Sequence, residues 1–171
     1  MIETEYDVIV AGYGPVGETC ANLLGYYGIK ALILDKEKNA YPLPRAITWD
    51  AECQRAMSHC EFISEVKTRK IRGVDNKDAN KKSIMKITME GFDTYNYQHR
   101  ILFIHQPQFD EAHRENTKKD STNTIKTGSE LLAVDEINGV VNCTYKNIET
   151  NEQFKVTSKY LLACDGANST V

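Results

Sequence analysis

Residues 7–17 read DVIVAGYGPVG, in which an apolar run leads directly into the glycine spacing G-x-G-x-x-G. A buried strand followed by these glycines and a helix is typical of a site for the pyrophosphate of a dinucleotide. We expect Gly12 to permit the tight turn, Gly14 to let the backbone approach the phosphates, and Gly17 to let the helix pack on the strand. The helix N-terminus would then direct its free N–H groups at the anion. An ordinary strand, turn and helix with incidental glycines is the alternative interpretation.

Residues 18–35 complete a β-α-β unit of the usual size, about 30 residues. The sequence predicts a helix over residues 15–27, with Gly28 at its C-terminal cap. Its predicted apolar face consists of Ala21, Leu23, Leu24 and Tyr27. Residues 31–35 then read ALILD, a second apolar run that ends in an acid. A carboxylate at this strand end can accept hydrogen bonds from the ribose hydroxyls of an adenosine.

Composition bounds the class of protein. The 171 residues carry a net charge of −3, which argues against a nucleic-acid partner, and their number predicts one domain. No apolar run approaches the roughly 18 residues of a membrane span, and the acidic N-terminus that leads straight into a strand is no signal peptide. The 5 scattered cysteines, an odd number without C-x-x-C spacing, favour reduced thiols and a cytoplasmic location.

The sequence contains no signature of metal or nucleophilic catalysis. The 4 histidines include no pair at i and i+4, and no cluster of cysteines and histidines has the spacing of a zinc site. No G-x-S-x-G elbow is present. We therefore predict no metal, assign no catalytic residue, and expect any chemistry to come from a bound cofactor.

An arginine follows the second strand on a restricted loop. Residues 36–46 read KEKNAYPLPRA, and the prolines hold this stretch extended, so that Arg45 lies close to the strand end at Asp35. A planar guanidinium there can reach a phosphate or the edge of a flavin ring. A solvated arginine in a proline-rich loop is the alternative interpretation.

The rest of the chain alternates predicted strands with two helices. We expect a short helix over residues 49–59, a solvated, charge-rich connection over 65–82, and a second helix near residue 106 with Pro107 at its first position. Short strands are predicted at residues 83–88, 94–97, 101–104, 131–137, 140–145 and 154–157. Asn138 and Gly139 predict a hairpin turn. Residues 160–166 read YLLACDG, a buried strand that ends in an acid and a glycine.

Four blocks of sequence together resemble the FAD-dependent aromatic hydroxylases, the class A flavoprotein monooxygenases. The blocks are residues 10–17 (VAGYGPVG), 44–47 (PRAI), 106–114 (QPQFDEAHR) and 162–167 (LACDGA). Each block is moderately specific, whereas the ordered set is highly specific. The blocks span nearly the whole chain but only the N-terminal part of such an enzyme.

The resemblance implies roles for individual residues. Those that would contact FAD are Gly12, Gly14, Pro15, Val16, Gly17, Asp35, Lys36, Arg45, Ala46, Gln106, Arg114, Asp165 and Gly166. The glycine loop would hold the pyrophosphate, Asp35 would bind the adenosine ribose, and Lys36 would lie beside the adenine. Arg45 would contact the ribityl and flavin region, while Gln106 and Arg114 would also face the cofactor. The pair at residues 165–166 resembles the family's Asp-Gly motif, which is linked to both FAD and NADPH binding.

The implied reaction is hydroxylation of a phenolic or other aromatic substrate by flavin chemistry, with NADPH or NADH as reductant and O2 as oxygen source. Two residues depart from the family pattern. Glu18 replaces an apolar residue after the third glycine, where its charge would weaken pyrophosphate binding, and His113 replaces a leucine. The later Gly-Asp motif that completes the flavin site does not occur. We therefore expect a truncated chain with little or no activity alone.

The predicted fold is α/β: a Rossmann-like FAD-binding domain of the glutathione-reductase type, with a mainly parallel sheet, an antiparallel β-meander and the start of a substrate-binding sheet. We expect residues 1–48 to form the β-α-β unit, 62–104 a partial substrate-side insertion, and 105–171 the remainder of the FAD-binding domain. A non-catalytic FAD- or ADP-binding module or partner protein is the main alternative. An NAD-dependent dehydrogenase fits less well, because of the blocks at Arg45 and Asp165. The sequence assigns no oligomeric state.

Overall fold

The computed structural model describes residues 5–60, 66–89 and 101–171. In chain order its helices and strands are β1 (Tyr6–Ala11), α1 (Pro15–Tyr26), β2 (Ala31–Asp35), β3 (Thr48–Asp50), α2 (Ala51–Ala56), β4 (Arg69–Lys70), β5 (Gly73–Lys77), β6 (Ser83–Thr88), β7 (Ile101–Phe103), α3 (Gln106–Thr117), β8 (Asn123–Thr127), β9 (Ser129–Ile137), β10 (Val140–Asn147) and β11 (Gln153–Ala163). A short 3-10 helix at Gly166–Asn168 follows the last strand.

The main sheet has six strands in the order β8-β2-β1-β11-β10-β9. Strands β8, β2, β1 and β11 are parallel, whereas β11, β10 and β9 form an antiparallel meander. This confirms the predicted mainly parallel sheet with an attached meander. The prediction of one strand at residues 154–157 and a separate one within residues 160–166 is wrong, because a single continuous strand, β11, runs from Gln153 to Ala163. Its central residue Ser158 pairs with Tyr6 on one side and with Val141 on the other.

Strand β1 is buried on both faces, as its continuous apolar sequence predicts. Val8 and Val10 face a cluster that includes Ala21 of α1. The alternate residues, Ile9 and Ala11, face a second cluster. That cluster also contains Leu32, Leu34, Leu131, Cys143 and Tyr145, so it joins the parallel strands to the meander. The glycine loop after β1 is therefore anchored on a strand that both cores hold in place.

Helix α1 ends where its glycine predicts. The N–H of Ile29 donates to the carbonyl of Leu24 at 2.9 Å, and the N–H of Gly28 donates to that of Gly25 at 2.9 Å. Gly28 has φ +68°, so the helix ends in a Schellman motif with glycine in the left-handed conformation.

The predicted apolar face of α1 is wrong in part. Tyr27 is 65% exposed, and Leu23 and Leu24 are only half-buried. The buried residues of α1 are Gly17, Glu18, Ala21 and Asn22. Glu18 and Asn22 are polar, and they face polar residues of α3. Hydrophobic periodicity therefore does not reveal which face of α1 is packed.

Residues 48–103 contribute two small sheets, in the orders β3-β7-β4 and β5-β6. The predicted helix over 49–59 is shorter: Trp49 is buried in β3, and α2 begins at Ala51. The carboxylate of Asp50 caps α2 by accepting the N–H of Cys53 at 2.8 Å, which sets this boundary. The prediction of a connection over 65–82 is also wrong, because β4 and β5 lie within it, although they are largely exposed. The strand predicted at 94–97 lies outside the described residues.

The meander turns as its sequence predicts. Asn138 has φ +55° and Gly139 has φ +75°, the two positive values that a type I′ hairpin turn needs. Strand β8, which pairs with β2, was not predicted. Among the residues that the structure describes, no helix has the length and apolar character required to cross a membrane.

Candidate functional site

The carboxyl ends of three parallel strands meet around the glycine loop. The N–H of Gly12 donates to the carbonyl of Leu34 at the end of β2, at 2.7 Å. The N–H of Cys164, just after β11, donates to the carbonyl of Ala11 at 2.7 Å. Asp35 is therefore the last residue of one strand that flanks β1, and Asp165 follows the other. This edge of an open α/β sheet is where ligands bind in such folds.

The three glycines of the loop meet different constraints. Gly12 has φ +95°, and a Cβ built there would lie 2.9 Å from the Cα of Asp165. A Cβ on Gly17 would collide with the backbone of Gly12, including its carbonyl carbon at 2.9 Å. A Cβ on Gly14 would meet no heavy atom within 4 Å. Gly12 and Gly17 are thus required by the turn itself, whereas Gly14 faces open space.

Helix α1 begins with donors that its own backbone does not use. Gly14 is the N-cap residue and has no side chain with which to cap the helix, and Pro15 follows it. The first intrahelical bond runs from the N–H of Glu18 to the carbonyl of Gly14, at 2.8 Å. The N–H groups of Val16 and Gly17 precede that bond and have no acceptor within the helix. Together with the helix dipole they can hold an anion in the space in front of Gly14.

Asp35 is tied to the glycine loop. Its Oδ2 accepts the N–H of Tyr13 at 3.0 Å, and its Oδ1 accepts the N–H of Glu37 at 2.9 Å. Each carboxylate oxygen can accept more than one hydrogen bond, so Asp35 retains capacity for a ligand hydroxyl. Lys36, the next residue, is exposed at the same strand end.

Glu18 and Arg114 form a buried ion pair between α1 and α3. The Nε of Arg114 donates to Oε1 of Glu18 at 2.6 Å, and its Nη2 donates to the carbonyl of Tyr13. The guanidinium also lies 4.5 Å from the centre of the Tyr13 ring. Burial raises the pKa of Tyr13 to about 12, so this ring is neutral. The Glu18 carboxylate is fully buried against α3, and the predicted effect of its charge on pyrophosphate binding stays a prediction.

Gln106 fixes the loop that carries Arg45. Its Oε1 accepts the N–H groups of Arg45 at 2.8 Å and Ala46 at 2.7 Å, and its Nε2 donates to Asp110 at 3.2 Å. Arg45 is exposed, and its guanidinium lies 4.1 Å from the centre of the Tyr41 ring. The structure therefore gives Gln106 backbone partners, and holds Arg45 in place through its own N–H.

Asp110 is a buried carboxylate that sequence reasoning missed. It lies one turn after Gln106 and one turn before Arg114, on the same face of α3. Burial, together with the nearby charge of Glu18, raises the pKa of Asp110 to about 6. The signal available in the sequence was the row of polar residues at i, i+4 and i+8 in a helix with few apolar residues.

Asp165 closes the site beside Gly12. Its carboxylate accepts the hydroxyl of Ser169 at 2.7 Å and the N–H of Thr170 at 2.6 Å. Burial opposes ionisation of Asp165, but these hydrogen bonds outweigh it and lower the pKa. Gly166 follows with φ +80°, which favours glycine there.

The described residues contain no group of three or more histidine, cysteine or acidic side chains placed to hold a metal ion. The cysteines are all free thiols. Cys164 lies closest in sequence to the site, and burial together with Cys20 raises its pKa to about 11. Its thiol is therefore neutral near pH 7, which makes it a poor nucleophile.

A family model described as "FAD binding domain" matches residues 5–171. The chain belongs to this family. This FAD-binding domain is 28% identical over 171 residues to a protein of Comamonas testosteroni named 3-(3-hydroxy-phenyl)propionate/3-hydroxycinnamic acid hydroxylase. The alignment covers 99% of this chain but only 28% of that protein, so the chain spans less than a third of the relative's length.

Solved structures of flavin enzymes share the fold. The p-nitrophenol 4-monooxygenase PnpA from Pseudomonas putida DLL-E4 superposes with a TM-score of 0.87 at 22% identity, over 99% of this chain and 43% of PnpA. Aklavinone-11 hydroxylase, solved with FAD and aklavinone, superposes with a TM-score of 0.78 at 16% identity. That match covers 99% of this chain and 34% of the hydroxylase. At these identities the likeness concerns the fold.

The geometry of this FAD-binding domain fits the adenosine diphosphate part of the cofactor. The space in front of Gly14, the N–H groups of Val16 and Gly17, and the acceptor capacity of Asp35 provide for a diphosphate and a ribose. The contacts of FAD with every residue predicted above, from Gly12 to Gly166, stay predictions, as does the division of the chain into residues 1–48, 62–104 and 105–171.

Proposed function

We propose that the chain binds FAD with the diphosphate in front of Gly14 and the adenosine ribose at Asp35. The observation that carries this proposal is the loop at residues 12–17, where Gly12 and Gly17 are forced by the backbone and Gly14 leaves open space. The N–H groups of Val16 and Gly17 would hold the diphosphate, because no helical acceptor uses them.

The remaining predicted contacts extend from this position along the sheet edge. Lys36 would lie beside the adenine, and the loop at Arg45 and Ala46 would lie near the ribityl chain and flavin. The segment at Asp165 and Gly166 would lie close to the pyrophosphate, because it packs on Gly12. FAD, when bound, supplies the redox chemistry, while the protein binds, orients and shields it.

We further propose that the chain is part of an enzyme that hydroxylates a phenolic substrate with NADPH or NADH and O2. The name of the Comamonas testosteroni relative supports a hydroxyphenyl or hydroxycinnamic acid as the substrate class. The net charge of −3 favours a small-molecule over a nucleic-acid partner, and the free cysteines favour the cytoplasm. Because the chain spans less than a third of that relative, we expect it to have little or no hydroxylase activity alone.

Ligand titration tests the binding proposal. The purified chain is titrated with FAD, ADP and FMN by isothermal calorimetry, and we expect FAD and ADP to bind and compete for one site. FMN lacks the adenosine and the diphosphate, so it should bind at least about 10-fold more weakly, a difference of about 1.4 kcal/mol. Failure of both FAD and ADP to bind would contradict the proposal.

The same titration separates the main alternative, a non-catalytic nucleotide-binding module. That alternative is supported by the loop at residues 12–17 and by Asp35, which would together serve only the adenosine diphosphate part of a ligand. Equal affinities for FAD and ADP would indicate a module without flavin contacts, whereas tighter binding of FAD would indicate them. A separate assay with FAD, NADPH and 3-(3-hydroxyphenyl)propionate should give no product, and stoichiometric product would show that the chain is active alone.

A further inference from the structure

Arg114 of α3 contacts two parts of the candidate site: the glycine loop with the first turn of α1, and the end of β2. Its Nε bonds to Glu18 at 2.6 Å, its Nη2 donates to the carbonyl of Tyr13, and the same Nη2 lies 3.6 Å from Oδ2 of Asp35. Tyr13 donates its own N–H to that oxygen at 3.0 Å. Each of three groups thus contacts the other two: the Arg114 guanidinium, the backbone of Tyr13 and the carboxylate of Asp35.

The charge of Arg114 is already matched inside the protein. The Glu18 carboxylate is fully buried, and the Arg114 side chain is only 12% exposed. A buried carboxylate is stable only with a partner, and a guanidinium has donors in a fixed planar arrangement. With one edge on Glu18 and another on Tyr13, the guanidinium is oriented toward the protein backbone. These two bonds use two of the five guanidinium N–H groups and fix the orientation of the whole planar group.

We propose that Arg114 is a positioning residue: its guanidinium holds the glycine loop against Asp35, and Glu18 fixes the guanidinium in that orientation. The apolar residue expected at position 18 could not accept the Nε–H bond, so this chain orients its arginine by a means that the sequence pattern did not predict. The inference rests on the proposed function, because the loop is the proposed diphosphate site.

The first test needs no ligand. Amide hydrogen exchange at Tyr13 is measured in the wild type, Arg114→Lys and Arg114→Met, with Val10 of β1 as an internal reference. Lysine keeps the charge but cannot bond to Glu18 and Tyr13 with one planar group. We expect exchange at Tyr13 to be about 10-fold faster in both variants, as for a locally loosened loop, and unchanged at Val10. Unchanged protection of Tyr13 in both variants would overturn the proposal.

The second test distinguishes positioning from direct contact. If Arg114 acts by positioning the glycine loop, both variants should bind ADP about 5- to 10-fold more weakly than wild type. This loss corresponds to roughly the free energy of one hydrogen bond. If Arg114 instead contacts ADP directly as a positive charge, Arg114→Lys should keep the wild-type ADP affinity. Only in Arg114→Met should ADP binding then no longer depend on NaCl concentration between 50 and 300 mM. That pattern would overturn the proposal.

Two further variants control for folding. Glu18→Leu/Arg114→Met removes both buried charges, so it avoids an unpaired carboxylate, and it should fold while still exchanging faster at Tyr13. Glu52→Leu/Arg55→Met removes an exposed pair on α2 and should change neither exchange nor ADP affinity. Loss of Tyr13 protection in this control would also overturn the proposal. Wild-type protein that fails to bind ADP would sink the proposed function alone, because the exchange test is independent of ligand.

Discussion

At the scale of single residues, Gly12 and Gly14 have different roles: Gly12 is required by the backbone conformation, whereas Gly14 leaves space for a ligand. Alanine at Gly12 combines a positive φ with a collision against Cys164 and Asp165, so Gly12→Ala should lower the free energy of unfolding by about 2–5 kcal/mol. Gly14→Ala should lower it by no more than about 1 kcal/mol, yet reduce ADP affinity by about 10-fold or more, since its methyl group occupies the ligand space. Urea denaturation and ADP titration check both. Equal stability of the two variants would contradict this assignment.

The buried Asp110 should make stability depend on pH in a defined window. Its pKa is raised from 3.8 to about 6 by burial and by Glu18, so the folded protein binds the proton more tightly than the unfolded chain. The resulting stabilisation is present below about pH 4 and is lost as the pH rises through 6. Asp110→Asn should therefore be more stable than wild type above pH 6, by at most about 3 kcal/mol, with the difference shrinking toward pH 4.

Urea denaturation of both proteins at pH 4.5, 6 and 7.5 measures this difference. Asp135→Asn, which removes an exposed carboxylate on β9, serves as the matched control and should change stability less than Asp110→Asn at pH 7.5. A gain for Asp110→Asn that does not change with pH would count against the raised pKa as its cause.

Residues whose role follows from local backbone geometry were predictable from the sequence. Gly12, Gly17 and Gly28 have conformations or close approaches that only glycine allows, and their spacing shows this directly. Glu18 and Arg114 were not predictable as a pair, because they are 96 positions apart and meet only when α1 packs on α3. No local pattern encodes such a contact.

At the scale of elements, the interface of α1 and α3 is held by a polar network centred on Asn22. Its Nδ2 lies within hydrogen-bonding distance of the carbonyls of Glu18 and His113 and of the Thr117 hydroxyl, at 2.7–3.1 Å. Its Oδ1 accepts Asn116 at 2.6 Å. Because each lost buried bond costs about 1 kcal/mol, Asn22→Ala should destabilise the protein by about 2–4 kcal/mol.

Chemical denaturation of Asn22→Ala, compared with Asn142→Ala, checks this network. Asn142 on β10 makes a local bond to the carbonyl of Val140, two residues away, so its removal should cost within about 1 kcal/mol. Similar losses for the two variants would show that the interface does not depend on Asn22.

Helices, strands and turns with strong local sequence signals were predicted correctly. Strands that are defined by their pairing with distant strands were not. Strands β1 and β2 and the turn at Asn138 and Gly139 are confirmed, because apolar runs and turn residues specify them locally. Strand β8 was not predicted, because its sequence alternates only weakly between apolar and polar residues. Its pairing with β2, which local sequence does not show, defines it as a strand. The predicted start of α2 was too early, because Trp49 lies in β3 and pairs with Leu102 of β7. The helical pattern of the local sequence does not reveal this pairing.

At the scale of the whole molecule, β11 connects the two ends of the chain. Its first half pairs with the meander and its second half with β1, so the segment at Asp165 lies against Gly12 although they are far apart in sequence. The candidate site therefore draws on both ends of the chain and on α3. A resemblance spanning ordered blocks predicted this assembly, whereas composition alone predicted only a globular domain.

The most direct test of the central claim, that the loop at residues 12–17 holds a diphosphate beside Asp35, is an ADP titration of the ¹⁵N-labelled chain followed by two-dimensional NMR. We expect the largest amide shift changes on Gly12, Gly14, Val16, Gly17 and Asp35, with AMP producing smaller changes in the loop. Saturable binding that leaves these amides unchanged and shifts only residues elsewhere, such as the hairpin of β5 and β6, would contradict it.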